Sequence, residues 1–138
     1  MKRIFLFFCL SAFLILPTVA QKMIVVGHEL IRINKRNGIE FSSNAGLNWT
    51  QRYRGNLQTG AFISIMEFDS DLYACTSNGV FVSSNKGLTW LKKSAATATT
   101  GDFRTIVSYR GELIAHTSKG VFYSRDRGIT WIKRSAKD

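Results

Sequence analysis

The sequence predicts an all-β protein made of three similar units, each folding as a small antiparallel sheet. The first observation is a phrase ending in tryptophan that occurs over residues 42–49, 83–90 and 124–131, with the tryptophans 41 residues apart. The second is a set of glycines at positions 38, 79 and 120 with the same spacing. A period near 40 residues is typical of proteins that stack one repeated supersecondary unit.

Each unit contains four short runs that are predicted to be strands. The runs are rich in β-branched and aromatic residues and are bounded by Gly, Asn, Asp and Ser, which is typical of strands joined by tight turns. The predicted strands cover residues 23–26, 29–34, 38–42 and 48–53 in the first unit, 63–68, 71–76, 79–83 and 89–93 in the second, and 105–109, 112–117, 120–124 and 130–134 in the third. Four such strands in order form one meander.

The repeated phrase is interpreted as a hairpin loop between the third and fourth strands. An Asn or Asp side chain can accept backbone N–H bonds across a turn, and the glycine two residues later can take a positive φ. The tryptophan opens the last strand and offers its ring for packing. The residues given this structural role are Ser42, Asn44, Gly46, Trp49, Ser83, Asn85, Gly87, Trp90, Ser124, Asp126, Gly128 and Trp131.

Residues 1–20 are predicted to be a signal peptide that is cleaved after Ala20. Two positive residues precede an apolar stretch over 4–16, and small residues follow where a signal peptidase cuts. The alternative is an uncleaved membrane anchor, but this stretch is shorter than the roughly 20 apolar residues needed to span a bilayer. The mature chain is therefore expected to be secreted or periplasmic, without a transmembrane segment, and with repeats over about 22–61, 62–102 and 103–138.

The chain is strongly basic, with 19 Lys and Arg against 9 Asp and Glu and a formal net charge of +10. Such a field attracts acidic proteins, acidic glycans or anionic lipid head groups, whereas nucleic acid is not expected for an exported protein. Lys86, Arg125 and Arg127 lie in the turn phrases and form a candidate basic binding rim. Basic residues in the last strand of each unit are also explained by protection of a sheet edge. These are Arg52, Lys92, Lys93, Lys133 and Arg134.

No metal or cofactor is expected from the residue types present. His28 and His116 are isolated and lack the spacing of zinc ligands. The single glycines of the turns do not form a phosphate-binding loop. Cys75 is the one cysteine expected after cleavage, and it is either a buried apolar residue or a thiol available to a partner.

The carboxylates show no arrangement typical of catalysis. Glu29, Asp71 and Glu112 occupy equivalent repeat positions, which indicates a shared structural role at the start of a strand. Glycoside hydrolysis requires two carboxylates about 5–9 Å apart across one bond. The remaining acids considered for that role show no pairing pattern and are Glu40, Glu67, Asp69 and Asp102.

The turn phrase is similar to the Asp-box, Ser-x-Asp-x-Gly-x-Thr-Trp, of the bacterial neuraminidase (BNR) repeat. That repeat is found in sialidase-like β-propellers, sortilin-type receptors and photosystem II stability factors. The third unit keeps the Asp, as Asp126, whereas Asn44 and Asn85 replace it in the others, and Asn48 replaces the usual Thr. The resemblance implies a β-propeller whose boxes lie away from any catalytic centre.

On this reading the three units are an incomplete ring, because propellers close with four to eight blades. Two arcs of three blades would make a six-bladed ring, so a homodimer is the favoured assembly. A larger homo-oligomer, a different propeller partner and a shortened gene product are the alternatives.

The function expected from these features is an exported, non-catalytic binding or assembly module that recognises a protein or glycan in the cell envelope. The photosystem factors of the similar family hold another protein. The alternative is a fragment or subunit of a sialidase-like glycoside hydrolase. The segment Phe103-Arg-Thr-Ile106 resembles the Arg-Ile-Pro segment of such enzymes but lacks the proline.

Overall fold

A computed structural model describes residues 21–134, which form twelve β-strands. The predicted signal peptide therefore lies outside the described residues. The strands are β1 (Met23–Val26), β2 (Glu29–Ile33), β3 (Ile39–Ser42), β4 (Thr50–Tyr53), β5 (Phe62–Phe68), β6 (Asp71–Thr76), β7 (Gly79–Ser83), β8 (Leu91–Ala95), β9 (Phe103–Tyr109), β10 (Glu112–Thr117), β11 (Gly120–Ser124) and β12 (Ile132–Lys133).

The strands pair in chain order into three four-stranded antiparallel sheets. The first blade is β1–β4, the second is β5–β8 and the third is β9–β12, so each sheet contains one sequence repeat. The prediction of an all-β fold with three four-stranded blades is confirmed. Within residues 21–134, no helix is long and apolar enough to cross a membrane.

The last strand of each blade begins two residues later than the sequence predicted, at Thr50, Leu91 and Ile132. The reason is visible in the second blade, where the backbone N–H of Thr89 donates to the Asn85 side chain at 2.9 Å instead of joining the ladder. The turn therefore extends up to the tryptophan. The prediction of these strand starts was wrong because a local side-chain bond competes with strand pairing.

The blades stack face to face, and two apolar clusters fill the spaces between them. We call the side of a blade that packs on the preceding blade its leading face, and the opposite side its trailing face. The first cluster joins the first and second blades and includes Ile24, Ile31, Ile39, Phe62, Leu72, Phe81 and Trp90. The second joins the second and third blades and includes Met66, Tyr73, Cys75, Val80, Phe103, Leu113 and Ala115.

The middle blade is covered on both faces, and its strand β6 is buried at every residue from Leu72 to Thr76. Strands buried on both faces are nearly continuously apolar, whereas strands with one open face alternate. The inner strand β1 alternates in this way, because Ile24 and Val26 are buried while Met23 and Val25 are exposed. Among residues 21–134, nothing covers one face of each end blade, and we call these the open faces.

Candidate functional site

The three turn phrases share one hydrogen-bond pattern, which is clearest in the third blade. The Ser124 hydroxyl accepts from the Gly128 N–H at 2.8 Å and donates to the Asp126 side chain at 2.8 Å. Asp126 then accepts from the Thr130 N–H at 2.8 Å. Hydrogen bonds from the Thr130 hydroxyl and backbone lower the pKa of Asp126 to about 2.

The other two turns repeat these contacts around Asn44 and Asn85. The Ser42 and Ser83 hydroxyls accept from the glycine N–H groups at 2.9 and 2.8 Å. The three glycines have φ values of 90°, 93° and 91°. The serine hydroxyls and the Asn or Asp side-chain oxygens of the phrase thus hold the loop.

The three tryptophans that follow the turns have different environments. Trp90 is buried, and its indole N–H donates to the Gly87 carbonyl at 3.0 Å. Trp131 donates to the Ser94 hydroxyl of the second blade at 3.0 Å. Trp49 is half-buried on the leading face of the first blade, where the Arg32 guanidinium lies 3.8 Å from its ring centroid.

The candidate basic rim is largely ion-paired. Arg127 donates to Asp69 at 2.7 Å, and Arg125 pairs with Glu112 at 2.5 Å. Lys86 contributes its backbone carbonyl, which accepts from Arg52 of the first blade at 3.2 Å. The charges of Arg125 and Arg127 are therefore offset by neighbouring acids at this edge.

The equivalent acids Glu29 and Glu112 each bind an arginine of their own blade, Arg52 in β4 and Arg134 directly after β12. Arg52 pairs with Glu29 at 2.9 Å, and Arg134 pairs with Glu112 at 3.4 Å. Hydrogen bonds from Arg52 and Arg125 lower the pKa values of Glu29 and Glu112. A general acid requires a raised pKa, so these carboxylates are suited to structure and not to proton donation.

The other chemically reactive side chains are isolated. Cys75 is buried between the second and third blades, and burial raises the pKa of its thiol to about 12. His28 and His116 are both exposed. No group of three His, Cys, Asp or Glu residues between 21 and 134 could hold a metal ion.

The open trailing face of the third blade is apolar and aromatic. Val107 and Tyr109 are 51% and 58% exposed. A groove of about 530 Å³ runs beside them, and its charged edges are Arg110, Glu112 and Arg134. We call this surface the third-blade face, defined by Val107, Tyr109, Ile114, Val121 and Tyr123.

The open leading face of the first blade combines apolar residues with one ion pair. Met23 and Val25 are 52% and 66% exposed. Arg32 and Glu40 pair at 2.5 Å on the same face. We call this surface the first-blade face, defined by Met23, Val25, Leu30, Arg32, Glu40 and Trp49.

Of the residues of these two faces, only Trp49 is among the site residues that the sequence predicts. The signal was present, because the repeats can be compared position by position, and Arg32 and Glu40 replace residues that are apolar in the other blades. The comparison alone does not identify the faces, because it does not show which side of each strand meets the neighbouring blade.

Comparison with known proteins extends over nearly the whole chain. Residues 12–138 match the sequence model of a family described as the DUF6242 beta propeller domain. No curated protein sequence matches the chain.

Among solved structures, YCF48 bound to a D1 peptide aligns with a TM-score of 0.64 and 18% identity, over 84% of this chain and 41% of that one. YCF48 from Cyanidioschyzon merolae aligns with a TM-score of 0.59 and 21% identity, over 80% of this chain and 39% of that one. An ancestral GH74 enzyme aligns with a TM-score of 0.58 and 17% identity, over 84% of this chain and 18% of that one. The chain thus spans about two fifths of the YCF48 structures, and the likeness shows a shared fold.

Proposed function

Because the chain belongs to the DUF6242 β-propeller family, we propose that it is a non-catalytic binding module that docks another protein on its third-blade face. The exposure of Val107 and Tyr109 carries this proposal. An apolar patch of this kind, rimmed by polar groups, is typical of a protein interaction site. Tyrosine and arginine are also enriched at such sites, and Tyr109, Tyr123 and Arg134 supply them here.

We propose that the module acts outside the cytoplasm, in the cell envelope or the secreted fraction. The basis is the sequence of residues 1–20, which has the order of charged, apolar and small residues typical of a cleaved signal peptide. We also propose that the three turn phrases are Asp-boxes of the BNR repeat.

A polypeptide ligand is supported by the fold comparison. One of the solved structures with this fold is YCF48 with a D1 peptide bound. A propeller arc of this architecture can therefore present a surface to a peptide or protein. For this chain, the shared fold supports a polypeptide partner, and the third-blade face is the surface where we propose that it binds.

A sialidase-like hydrolase is the less favoured function. Glu40 is held by Arg32, Asp69 by Arg127, and Glu112 by Arg125. The hydrogen bond from Arg125 also lowers the pKa of Glu112, which disfavours the protonated acid that glycoside hydrolysis needs.

The proposal is tested by capture from the envelope fraction of the cells that produce the protein, with bound proteins quantified by mass spectrometry. Val107→Asp places a charge at the centre of the third-blade face and should reduce capture at least about tenfold, which corresponds to about 1.4 kcal/mol. Leu57→Asp is the matched control, because Leu57 is 98% exposed and lies outside both end faces.

Equal capture by wild type and the Val107→Asp variant would contradict docking on this face. Binding on a glycan array without protein capture would assign a glycan ligand instead. Turnover of a fluorogenic sialoside by the purified protein would overturn the non-catalytic reading and restore the hydrolase.

A further inference from the structure

We propose that the protein docked on the third-blade face is a second copy of this chain, bound through its first-blade face. The inference rests on the proposed function, because it names the partner of the same face. Each copy would then use both of its open faces. Its third-blade face would bind the first-blade face of the other copy, and its first-blade face would bind the third-blade face of that copy.

The third-blade face repeats a surface that already binds a blade within this chain. Every residue of the face lies 41 positions after a residue of the second blade, and those second-blade residues all belong to the cluster packed against the third blade. The pairs of positions are Met66 and Val107, Phe68 and Tyr109, Tyr73 and Ile114, Val80 and Val121, and Val82 and Tyr123. The face therefore has the chemistry of a blade-to-blade interface.

A second repeated feature lies at the outer edge of this surface. In the first blade, Arg52 binds Glu29, stacks 3.7 Å from the centroid of the Phe41 ring, and donates across the interface to the Lys86 carbonyl of the next blade. The third blade has the same arrangement of an arginine, a glutamate and an aromatic ring around Arg134.

Arg134 binds Glu112 and lies 4.4 Å from the centroid of the Tyr123 ring. The residue of the first blade that corresponds to Lys86 is Ala45. In a second copy, Arg134 would thus donate to the Ala45 carbonyl, as Arg52 does to Lys86 within one chain.

The first-blade face has residues at the positions where the second blade packs against the first. Leu30 and Trp49 occupy the positions of Leu72 and Trp90, which the second blade buries against the first. Met23 and Val25 are more than half exposed and lie on the inner strand β1. Inner strands of neighbouring blades are in contact within the chain, as β5 and β9 are.

Polar residues replace apolar ones at matching positions on the two open faces. On the first-blade face, Arg32 and Glu40 take the places of Ala74 and Phe81. On the third blade, His116 takes the place of Cys75. Cys75 packs in one cluster with Ala115, whose counterpart in the first blade is Arg32.

His116 of one copy would therefore lie against the Arg32–Glu40 pair of the other. An imidazole can accept a hydrogen bond from an arginine and donate one to a carboxylate. The polar groups of the two faces would thus hydrogen-bond to each other, and none of them would be buried against an apolar surface. Two copies joined in this way at both ends form a six-bladed ring with twofold symmetry.

The experiment is light scattering after size exclusion on the protein purified from the cells that produce it, with Val107→Asp and Met23→Asp variants. Met23 takes the strand position of Ile65, which is buried between the first and second blades. Wild type and Leu57→Asp should be dimers, and each end-face variant alone should be a monomer. An equimolar mixture of the two end-face variants should recover a dimer, because the third-blade face of one and the first-blade face of the other are both intact.

A monomeric wild type overturns the inference, and if Val107→Asp still abolishes protein capture, the proposed function stands. Loss of the dimer in Val107→Asp but not in Met23→Asp indicates two third blades facing each other, which also overturns it. If Val107→Asp changes neither the dimer nor the amount of captured protein, both the inference and the proposed function are overturned. Recovery in the mixture shows that both variants are folded, since an unfolded variant could not complement the other.

Discussion

The Tyr73 side chain is enclosed between the second and third blades, with 1% of its surface exposed. Its hydroxyl is the one buried side-chain polar atom in the described part of the chain without a hydrogen-bond partner. Burial is also the largest effect on its pKa, which is raised. A buried hydroxyl without a partner costs about 1–3 kcal/mol.

Tyr73→Phe should therefore increase the free energy of unfolding by about 1 kcal/mol, since the change removes the buried oxygen and keeps the ring. Urea unfolding of both proteins gives the measurement. Tyr53→Phe is the control, because the Tyr53 hydroxyl accepts from the Asn56 amide at 3.2 Å and should lose stability. A loss of stability in Tyr73→Phe would show that Arg127, which lies nearby, binds the hydroxyl in solution.

At the residue scale, sequence reasoning could assign local contacts but not the open faces. The turn bonds of Ser124, Asp126 and Thr130 join residues two to four positions apart, so their spacing is visible in one repeat. The roles of Arg32 and Val107 depend on which neighbouring blade, if any, covers them. That information lies in the stacking of whole sheets.

The strand pair β7–β8 includes a close backbone approach that only glycine permits. Gly79 pairs with Ala95 and has a φ of 136°. A Cβ at this position would overlap the carbonyl oxygen of Ser94, which is part of the backbone of β8. The equivalent Gly120 has a φ of 126°, but a Cβ there would meet only the end of the Lys133 side chain, at 3.3 Å.

Gly79→Ala should therefore be far more damaging than Gly120→Ala. Both changes force alanine into an unfavourable φ, at a cost of about 1–3 kcal/mol. Only Gly79→Ala adds a clash that β8 must relieve by moving, so its loss should be at least about twice as large. Urea midpoints of the two variants provide the comparison, and equal losses would argue that β8 shifts freely.

The element scale was the most predictable from the sequence. The predicted bounds of β1, β6, β7, β10 and β11 agree with the structure, because alternation and turn residues mark both ends of these strands. The starts of β5 and β9 were placed too late. Phe62 and Phe103 pair across irregular registers, and a bulge leaves no mark in the alternation.

The interface between the second and third blades can be monitored through Cys75, which is 1% exposed. The buried thiol, with its pKa raised to about 12, should react with a thiol reagent only when the blades separate.

Labelling of the native protein near neutral pH should be at least about a hundredfold slower than in concentrated urea, because little thiolate forms in the folded state. Mass spectrometry of the labelled chain gives the rate. Rapid labelling of native protein would favour the alternative in which the thiol is available to a partner.

The order of strands within each sheet also determines how the chain folds. In the described part of the chain, every hydrogen-bonded strand pair joins strands that are consecutive in sequence, so these sheets form without a distant segment. Low sequence separation between contacts favours fast folding, and folding can begin in any repeat and spread to the next. The middle blade gains stability from neighbours on both sides, whereas each end blade gains it from one. Unfolding of a single chain therefore begins at its ends, and the second blade is the last to lose its structure.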